Sequence, residues 1–230
     1  LFKKNSLPVI GFDMGGTSTD VSRYDGHIAR KSEAVITGIK HRTDMLDIET
    51  VAAGGGSVCT FKDGRYQVGP ESAGAAPGPA CYGLGGPATI TDANLILGRI
   101  VVEQMNPTFG KNRNQALDKM ASENVFQKLA NTISSHLGKP FSMEQTALGF
   151  ITIADEAMAR AIRKVSLKRG YDVRNHTLVA FGGAGPLHAC EVADRLGMTR
   201  VLIPRYPGVL CAYGLLVADV KVDDSLPILV

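Results

Sequence analysis

Eight residues near the start of the chain, Asp13 to Asp20, read DMGGTSTD and follow a short apolar run, Leu7 to Phe12, that is typical of a buried strand. Gly15 and Gly16 let the backbone bend sharply and approach a ligand closely, because glycine tolerates positive φ and has no Cβ. The three hydroxyls that follow can donate to phosphate oxygens, and the carboxylates at both ends are hard oxygen ligands of the kind that Mg²⁺ accepts. The run therefore predicts a hairpin that binds phosphate and a divalent metal; a tight turn that binds nothing is the alternative.

The elements that must position this turn begin with further strands. The chain runs on through Val21 to Tyr24, Asp25-Gly26 and His27 to Ile36, whereas a Walker loop would need GxxxxGK[ST] at the start of a helix. An Asp-Gly pair between two alternating runs predicts a hairpin. A second glycine cluster, at residues 54–56, precedes another predicted hairpin around Asp63-Gly64.

The stretch from Gly69 to Pro87 holds six glycines and four prolines, too many for a helix or a central strand. Apolar and aromatic residues are interleaved among them, so the composition favours an ordered functional loop over a flexible linker. Thr91 or Asp92 can then cap a short helix, Ala93 to Leu97, which Gly98 would end.

Two longer helices are predicted in the second half of the chain. One begins at a capping box formed by Ser142 and Gln145 and ends at Gly170. The other spans about 114–136, where one apolar stripe at helical spacing contains Leu117, Met120, Val125, Leu129 and Ile133.

A strand, a glycine turn, a helix and a second strand follow. Thr177 to Phe181 is β-rich, residues 182–185 read GGAG, Leu187 to Leu196 is predicted to be helical, and Val201 to Ile203 returns as a strand. A right-handed crossover of this kind places the strands in a parallel sheet, with the glycine turn at the carboxyl edge where α/β proteins bind ligands. By itself GGAG is equally compatible with a turn that binds nothing.

Composition narrows the class of protein. The chain has 230 residues, a net charge of +3 with scattered Lys and Arg, and a 44% apolar fraction, which predicts a globular protein that binds neither nucleic acid nor membrane and is cytoplasmic. Its four cysteines form no CxxC pair, so they predict reduced, mostly buried thiols. Because the chain begins with Leu1 and reaches the DMGG turn almost at once, we expect it to be a piece of a longer polypeptide.

The order of a DxGGTxTD hairpin, a helical stretch and a strand-GGAG-helix unit resembles the second lobe of the actin-like ATPases. The resemblance implies an α/β fold of the ribonuclease H-like type, with a mixed sheet, a leading β-hairpin and flanking helices. It also implies that Asp13, Gly15, Gly16 and Thr17 face phosphate and metal, and that adenosine lies on Gly182, Gly183 and Gly185. An upstream lobe of the same polypeptide would supply the other half of the ATP site.

Longer strings are similar to the hydantoinase/oxoprolinase A-type family over nearly the whole chain. They are GFDMGGTSTDVSRYDG at 11–26, LDIETVAAGGGS at 46–57, VGPESAGAAPGPACYGLGGPATITDANLILGR at 68–99 and AFGGAGPLHACEVADRLGM at 180–198. The resemblance is greater to the 5-oxoprolinases than to N-methylhydantoinases or acetone carboxylase subunits, which stay as alternatives. It implies one domain over 1–230, made of a hairpin sheet (7–60), a Gly/Pro-rich loop with a short helix (69–99), a helical part (112–170) and an adenosine-motif part (177–230).

The resemblance implies ATP-dependent opening of 5-oxoproline or a related cyclic amide, with Mg²⁺ as cofactor. Catalytic roles would fall to Asp13, Thr17, Thr19 and Asp20, with Asp13 positioning Mg²⁺ and the two threonines holding the γ-phosphate. The implied partners are the upstream lobe, a B-type hydantoinase subunit or domain, and further copies of the full-length protein in a homo-oligomer. The isolated chain is expected to be inactive.

Other candidates have competing interpretations. His41 and Asp44 have the spacing of a metal pair but lie in a polar run that favours a solvated loop. Asp47 and Glu49 alternate, so both carboxylates would share one strand face, where a metal or substrate is possible at Asp47; relatives tend to have His or Asn in place of Glu49. Cys81 is expected to be a packing residue rather than a nucleophile, and His188 could either contact nucleotide or pack.

Two hypotheses of other classes stay open. An actin-like sugar kinase could use the same lobes but would need a base for its hydroxyl substrate, and the sequence identifies none. A nucleotide-gated assembly module would need no substrate site at all. The Gly/Pro-rich loop favours the cyclic amide hydrolase, because neither of the other two requires it.

Overall fold

The computed structural model describes residues 7–36 and 38–220. A mixed five-stranded sheet forms its centre, made of β1 (Val9–Met14), β2 (Thr19–Tyr24), β5 (Glu49–Val51), β8 (Thr177–Phe181) and β9 (Val201–Leu202). The order of the strands in the sheet is β5-β2-β1-β8-β9. β1 is antiparallel to β2 and parallel to β8, so the predicted leading hairpin and the predicted parallel crossover lie side by side.

The central strand β1 has one apolar face, and Asp13 lies on the opposite face. Ile10, Phe12 and Met14 of β1 are fully buried beneath the helices. In the described part of the chain, five α-helices accompany the sheet: α1 (Ile90–Ile96), α2 (Lys119–Leu137), α3 (Met143–Arg169), α4 (Gly185–Leu196) and α5 (Leu210–Val217). Among the described residues, no helix is both long enough and apolar enough to cross a membrane.

The predicted helix ends agree with the structure where the turn chemistry is local. Ser142 and Gln145 form both bonds of the capping box at the start of α3. Gly170 ends α3, and Gly197 ends α4, each in the left-handed conformation that favours glycine. Pro186 lies in the first turn of α4, where its missing N–H costs nothing.

Among the described residues, two smaller hairpins lie outside the central sheet, and one of them differs from the predicted pairing. β6 (Ser57–Lys62) pairs with β7 (Arg65–Ser72) around Asp63-Gly64 as predicted. The chain turns at Asp25-Gly26 as predicted, and among the described residues a single antiparallel bridge, from Tyr24 to Ile28, follows that turn. The predicted longer hairpin is wrong, because β3 (Arg30–Ile36) pairs with β4 (Ile39–Leu46) and not with β2.

Helix starts differ from the sequence analysis in two places. α1 begins at Ile90 with Thr89 as its N-cap, and Asp92 is the third helical residue, whose side chain closes a capping box, so neither Thr91 nor Asp92 is the cap. α2 begins only at Lys119, after the cap Asp118. Its buried face holds Phe126, Ala130 and Ile133, whereas Met120 of the predicted stripe is exposed and Leu117 is buried outside the helix.

The Gly/Pro-rich stretch is ordered, as predicted, but its first four residues belong to a strand. β7 continues through Gly69 and Pro70 to Ser72, and a short 3₁₀ helix covers Ala80–Tyr82. Cys81 in that helix is fully buried. The segment therefore packs against the domain rather than linking two separate bodies.

Candidate active site

The turn between β1 and β2 is closed by a bond from the amide of Gly15 to the carbonyl of Ser18, 3.0 Å. Gly16 and Thr17 at its tip are exposed. Within the part of the chain that the structure describes, the amides of these two residues have no acceptor. Unpaired successive amides at a glycine turn are available to an anion such as a phosphate group.

The glycine cluster at 54–56 supports this turn from behind. The amides of Gly55 and Gly56 donate to the carbonyls of Gly15 (3.0 Å) and Gly16 (2.6 Å). A Cβ on Gly54 would lie 2.7 Å from backbone atoms of Gly16 and Thr17, so only glycine allows this approach. The role of this cluster was not predicted: its amides hold the carbonyls of the turn in place.

The GGAG turn after β8 meets the same edge of the sheet. The amide of Ala184 donates to the carbonyl of Met14 at 2.9 Å. Gly182 has a φ of +81°, and a Cβ there would overlap Asp13 and Met14, while Gly185 is buried against Phe12. Of the three glycines only Gly183 is exposed, and the other two allow close packing.

Asp13 and Asp20 are directly opposite each other in the β1–β2 pair, so their side chains are on one face of the sheet. Asp13 accepts a hydrogen bond from the thiol of Cys211 at 3.0 Å, and Asp20 accepts one from the hydroxyl of Thr50 at 2.6 Å. The bond to Asp13, partial burial and both carboxylate charges raise the pKa of the Cys211 thiol to about 11. Two adjacent, hard carboxylate donors fit a divalent cation held through water.

Thr19 does not lie where the sequence analysis expected. It is fully buried, and its hydroxyl donates to the carbonyl of Ala53 at 2.5 Å and contacts the sulfur of Met158 at 3.6 Å. The first residue of β2 thus points into the core, and its hydroxyl is unavailable to a phosphate. Thr17, two residues earlier, is the exposed threonine of the turn.

Asp47 and Glu49 also differ from the expectation of a metal or substrate site. Asp47 forms ion pairs with Arg169 and, at 4.0 Å, with Lys31. Glu49 forms one with Lys164 at 3.7 Å. Both carboxylates are neutralised by cations of α3, so they stabilise its packing on the sheet. Among the described residues, no cluster of three or more metal-ligating side chains occurs.

A cavity of about 190 Å³ opens beside the two glycine turns. One side is formed by the backbone of Gly15, Gly16 and Gly183. Most of the other lining residues are apolar, and they include Tyr82 of the Gly/Pro-rich segment. The arrangement places a small compartment next to free backbone amides.

His188 neither lines the turn nor simply packs. It is fully buried on α4, with Nδ1 2.6 Å from Oδ1 of Asp155 on α3 and Nε2 3.1 Å from Nδ2 of Asn94 on α1. Asn94 lines the cavity. No sequence motif signals this chain of three side chains, because its members are distant in sequence.

A buried carboxylate holds the Gly/Pro-rich segment in place. Asp92 accepts hydrogen bonds from the amides of Ala80 and Cys81, from the amide and hydroxyl of Thr89, and from the hydroxyl of Ser122. Burial and the charge of Asp92 raise the pKa of the Cys81 thiol far above its usual range. Cys81 is therefore a packing residue rather than a nucleophile, as the sequence analysis expected. The side chains of His41 and Asp44 lie outside the described residues.

The architecture is that of a lobe of an actin-like ATPase: a mixed sheet that begins with a β-hairpin and is flanked by helices. The solved ATP-dependent caprolactamase of Pseudomonas jessenii is similar to 93% of the chain with a TM-score of 0.78 and 37% sequence identity, over 30% of its own length. A nucleotide-free acetone carboxylase is similar to 92% of the chain with a TM-score of 0.77 and 26% identity, over 29% of its length. The predicted fold class is confirmed.

The sequence then defines the family. The hydantoinase/oxoprolinase family model matches residues 1–224, and this chain belongs to that family. The 5-oxoprolinase of Saccharomyces cerevisiae is 50% identical over 226 residues, which are 98% of this chain and 18% of the yeast protein. The chain thus spans less than a fifth of the length of this relative. The family resemblance inferred from the glycine motifs is confirmed.

Proposed function

We propose that this chain is one lobe of an ATP-dependent hydrolase of cyclic amides, of the 5-oxoprolinase type, and that the turn at residues 15–18 receives the terminal phosphate of ATP. One observation carries the proposal: the turns after β1 and β8 meet at one sheet edge and present the amides of Gly16, Thr17 and Gly183, which have no acceptor among the described residues. The 50% identity to the yeast 5-oxoprolinase supports the choice of reaction.

Coupling to ATP makes chemical sense for this substrate class. Amide resonance makes the lactam carbonyl a poor electrophile and its nitrogen a poor leaving group. Transfer of the γ-phosphoryl group to the carbonyl oxygen forms a C–O–P linkage, releases ADP and leaves an imidate-like carbon that water can attack. Ring opening then yields the amino acid and phosphate. Such phosphoryl transfer depends chiefly on positioning and charge neutralisation. Free backbone amides contribute to both, because they donate hydrogen bonds to phosphate oxygens.

Each residue at the turn has a distinct proposed role. The amides of Gly16 and Thr17, with the Thr17 hydroxyl, hold phosphate oxygens. Asp13 and Asp20 hold Mg²⁺ through water, and Mg²⁺, when bound, neutralises phosphate charge. Gly183 lies against the nucleotide, with adenosine along residues 182–185. Thr19 and Asp47 have no part in the proposed site, because their polar groups are paired with other partners.

The same proposal extends to partners. An upstream lobe of the same polypeptide completes the ATP site, so the isolated chain binds ATP weakly or not at all, since one lobe forfeits about half the contacts and the closure. Calorimetry on the isolated chain that gave micromolar affinity would contradict this. On resemblance alone, we extend the proposal to a B-type subunit or domain, a homo-oligomer, a cytoplasmic location and a role in glutathione metabolism.

ATP hydrolysis by the full-length protein tests the function. Phosphate release is measured without additions and with 5-oxoproline, caprolactam, N-methylhydantoin or a set of sugars. Stimulation by 5-oxoproline, with one phosphate released per ring opened, supports the proposal. Phosphorylation of a sugar would support a kinase, and concentration-dependent polymerisation without substrate-dependent turnover would support an assembly module.

A further inference from the structure

The cavity beside the glycine turns contains one buried polar atom without a partner. Asn94 is 1% exposed and lines the cavity, and its Oδ1 has no hydrogen-bond donor among the described residues. An unsatisfied buried carbonyl oxygen costs about 1–3 kcal/mol. A side chain kept in such a position next to an open space is suited to a ligand that brings its own donor.

The neighbours of Asn94 determine which end of its amide faces the ligand. A carboxylate only accepts, so the 2.6 Å contact with Asp155 puts a proton on Nδ1 of His188. The amide nitrogen Nδ2 of Asn94, 3.1 Å from Nε2 of His188, can only donate, so Nε2 is the acceptor in this contact. Oδ1 of Asn94 is thereby left as a buried acceptor without a donor, in a residue that lines the cavity. Because Asp155 and His188 are as buried as Asn94, solvent does not disturb this order.

The rest of the cavity indicates the chemistry of the ligand. The residues that line it include no charged side chain, and its apolar wall contains Tyr82, Ile100, Leu117 and Leu187. Its volume of about 190 Å³ is smaller than typical pockets for drug-sized ligands, roughly 300–1,000 Å³. A small ring with methylene groups and one N–H donor fits these features, with any carboxylate on the ring lying outside the apolar wall.

We propose that this cavity binds the ring of the cyclic amide, that Oδ1 of Asn94 accepts the ring N–H, and that His188 and Asp155 are positioning residues that orient the Asn94 amide. The inference rests on the proposed function and adds its substrate site. In a small lactam the N–H and the carbonyl oxygen lie on the same edge of the ring. The contact with Asn94 therefore holds the reacting oxygen within the small cavity that Gly15 and Gly16 also line.

The test compares two ligands that differ only in the N–H. Dissociation constants of the full-length protein are measured for 5-oxoproline and for the matching lactone, in which oxygen replaces the ring N–H. The wild type is expected to prefer the lactam by roughly 10- to 100-fold, the value of one buried hydrogen bond. Asn94→Leu is expected to bring that ratio close to 1 by weakening the lactam alone. Asn94→Ala, which is smaller and cannot clash, is expected to do the same.

The positioning role has its own readout. Asp155→Asn is expected to raise KM for the lactam without changing KM for ATP. A loss of folding would instead lower the apparent kcat and leave both KM values unchanged. If the Asn94 variants kept the wild-type ratio of lactone to lactam dissociation constants, this inference would be overturned. Lactam-dependent ATP hydrolysis by the wild type would still support the proposed function in that case. A wild type without lactam-dependent hydrolysis would overturn both.

Discussion

Replacing Asp92 with Asn should destabilise the domain far more than its small chemical change suggests. The carboxylate is fully buried and takes five donors: Oδ2 accepts from the amide of Ala80 and from the amide and hydroxyl of Thr89, and Oδ1 accepts from the amide of Cys81 and the hydroxyl of Ser122. An Asn side chain has one acceptor oxygen and one NH₂ group. The least costly orientation puts NH₂ at the Oδ1 position, where the hydroxyl of Ser122 can rotate to accept but the N–H of Cys81 has no acceptor.

The expected loss follows from these bonds. One orphaned buried N–H costs about 1–3 kcal/mol, and the remaining bonds lose their charge assistance, so Asp92→Asn should lower the free energy of unfolding by about 3 kcal/mol. Ser122→Ala, the matched control, removes one donor and should cost about 1 kcal/mol. Urea unfolding of both variants can be followed by far-UV circular dichroism, since the chain has no tryptophan. A loss for Asp92→Asn no larger than for Ser122→Ala would refute this reasoning.

Two further predictions concern the edge of the sheet. Gly182→Ala should lower the free energy of unfolding by at least about 2 kcal/mol in thermal unfolding, because φ is +81° and a Cβ would overlap Asp13. Gly183→Ala, with open space around it, should cost under about 0.5 kcal/mol. Equal losses for the two variants would contradict this. Asp13→Asn should lower the pKa of Cys211 from about 11, because it removes the carboxylate that accepts the thiol hydrogen bond and the charge that disfavours the thiolate. Alkylation of that thiol at pH 8 should then be roughly tenfold faster. The exposed Cys190 is the internal reference, and an unchanged ratio of the two rates would show that Asp13 does not hold the thiol.

The features that sequence predicted well are those governed by neighbouring residues. The DMGG turn, the GGAG turn and the Ser142–Gln145 capping box each depend on residues within four positions of one another, and the structure contains all three turns or caps. Glycine at a turn and a hydroxyl at a helix start act through the local backbone, so their meaning can be read without knowing the fold. The family resemblance rested on such local strings.

The features that sequence missed depend on tertiary partners. Thr19 and Thr17 are equivalent in type, but Thr19 begins β2 and shares its buried face with Val21, where its hydroxyl meets Ala53 and Met158, 34 and 139 residues away. The contact between Asn94 and His188 joins residues 94 positions apart. No periodicity or spacing rule encodes such contacts, so the cavity beside the glycine turns could not be foreseen from the sequence alone.

Lactam-dependent phosphate release by the Asp13→Ala variant of the full-length protein tests the central claim most directly. Asp194→Ala, which removes an exposed carboxylate on α4, is the matched control. If the DMGG turn holds phosphate and metal, Asp13→Ala should lower the rate with 5-oxoproline at least about 100-fold while Asp194→Ala keeps the wild-type rate. Normal phosphate release by Asp13→Ala would contradict the account.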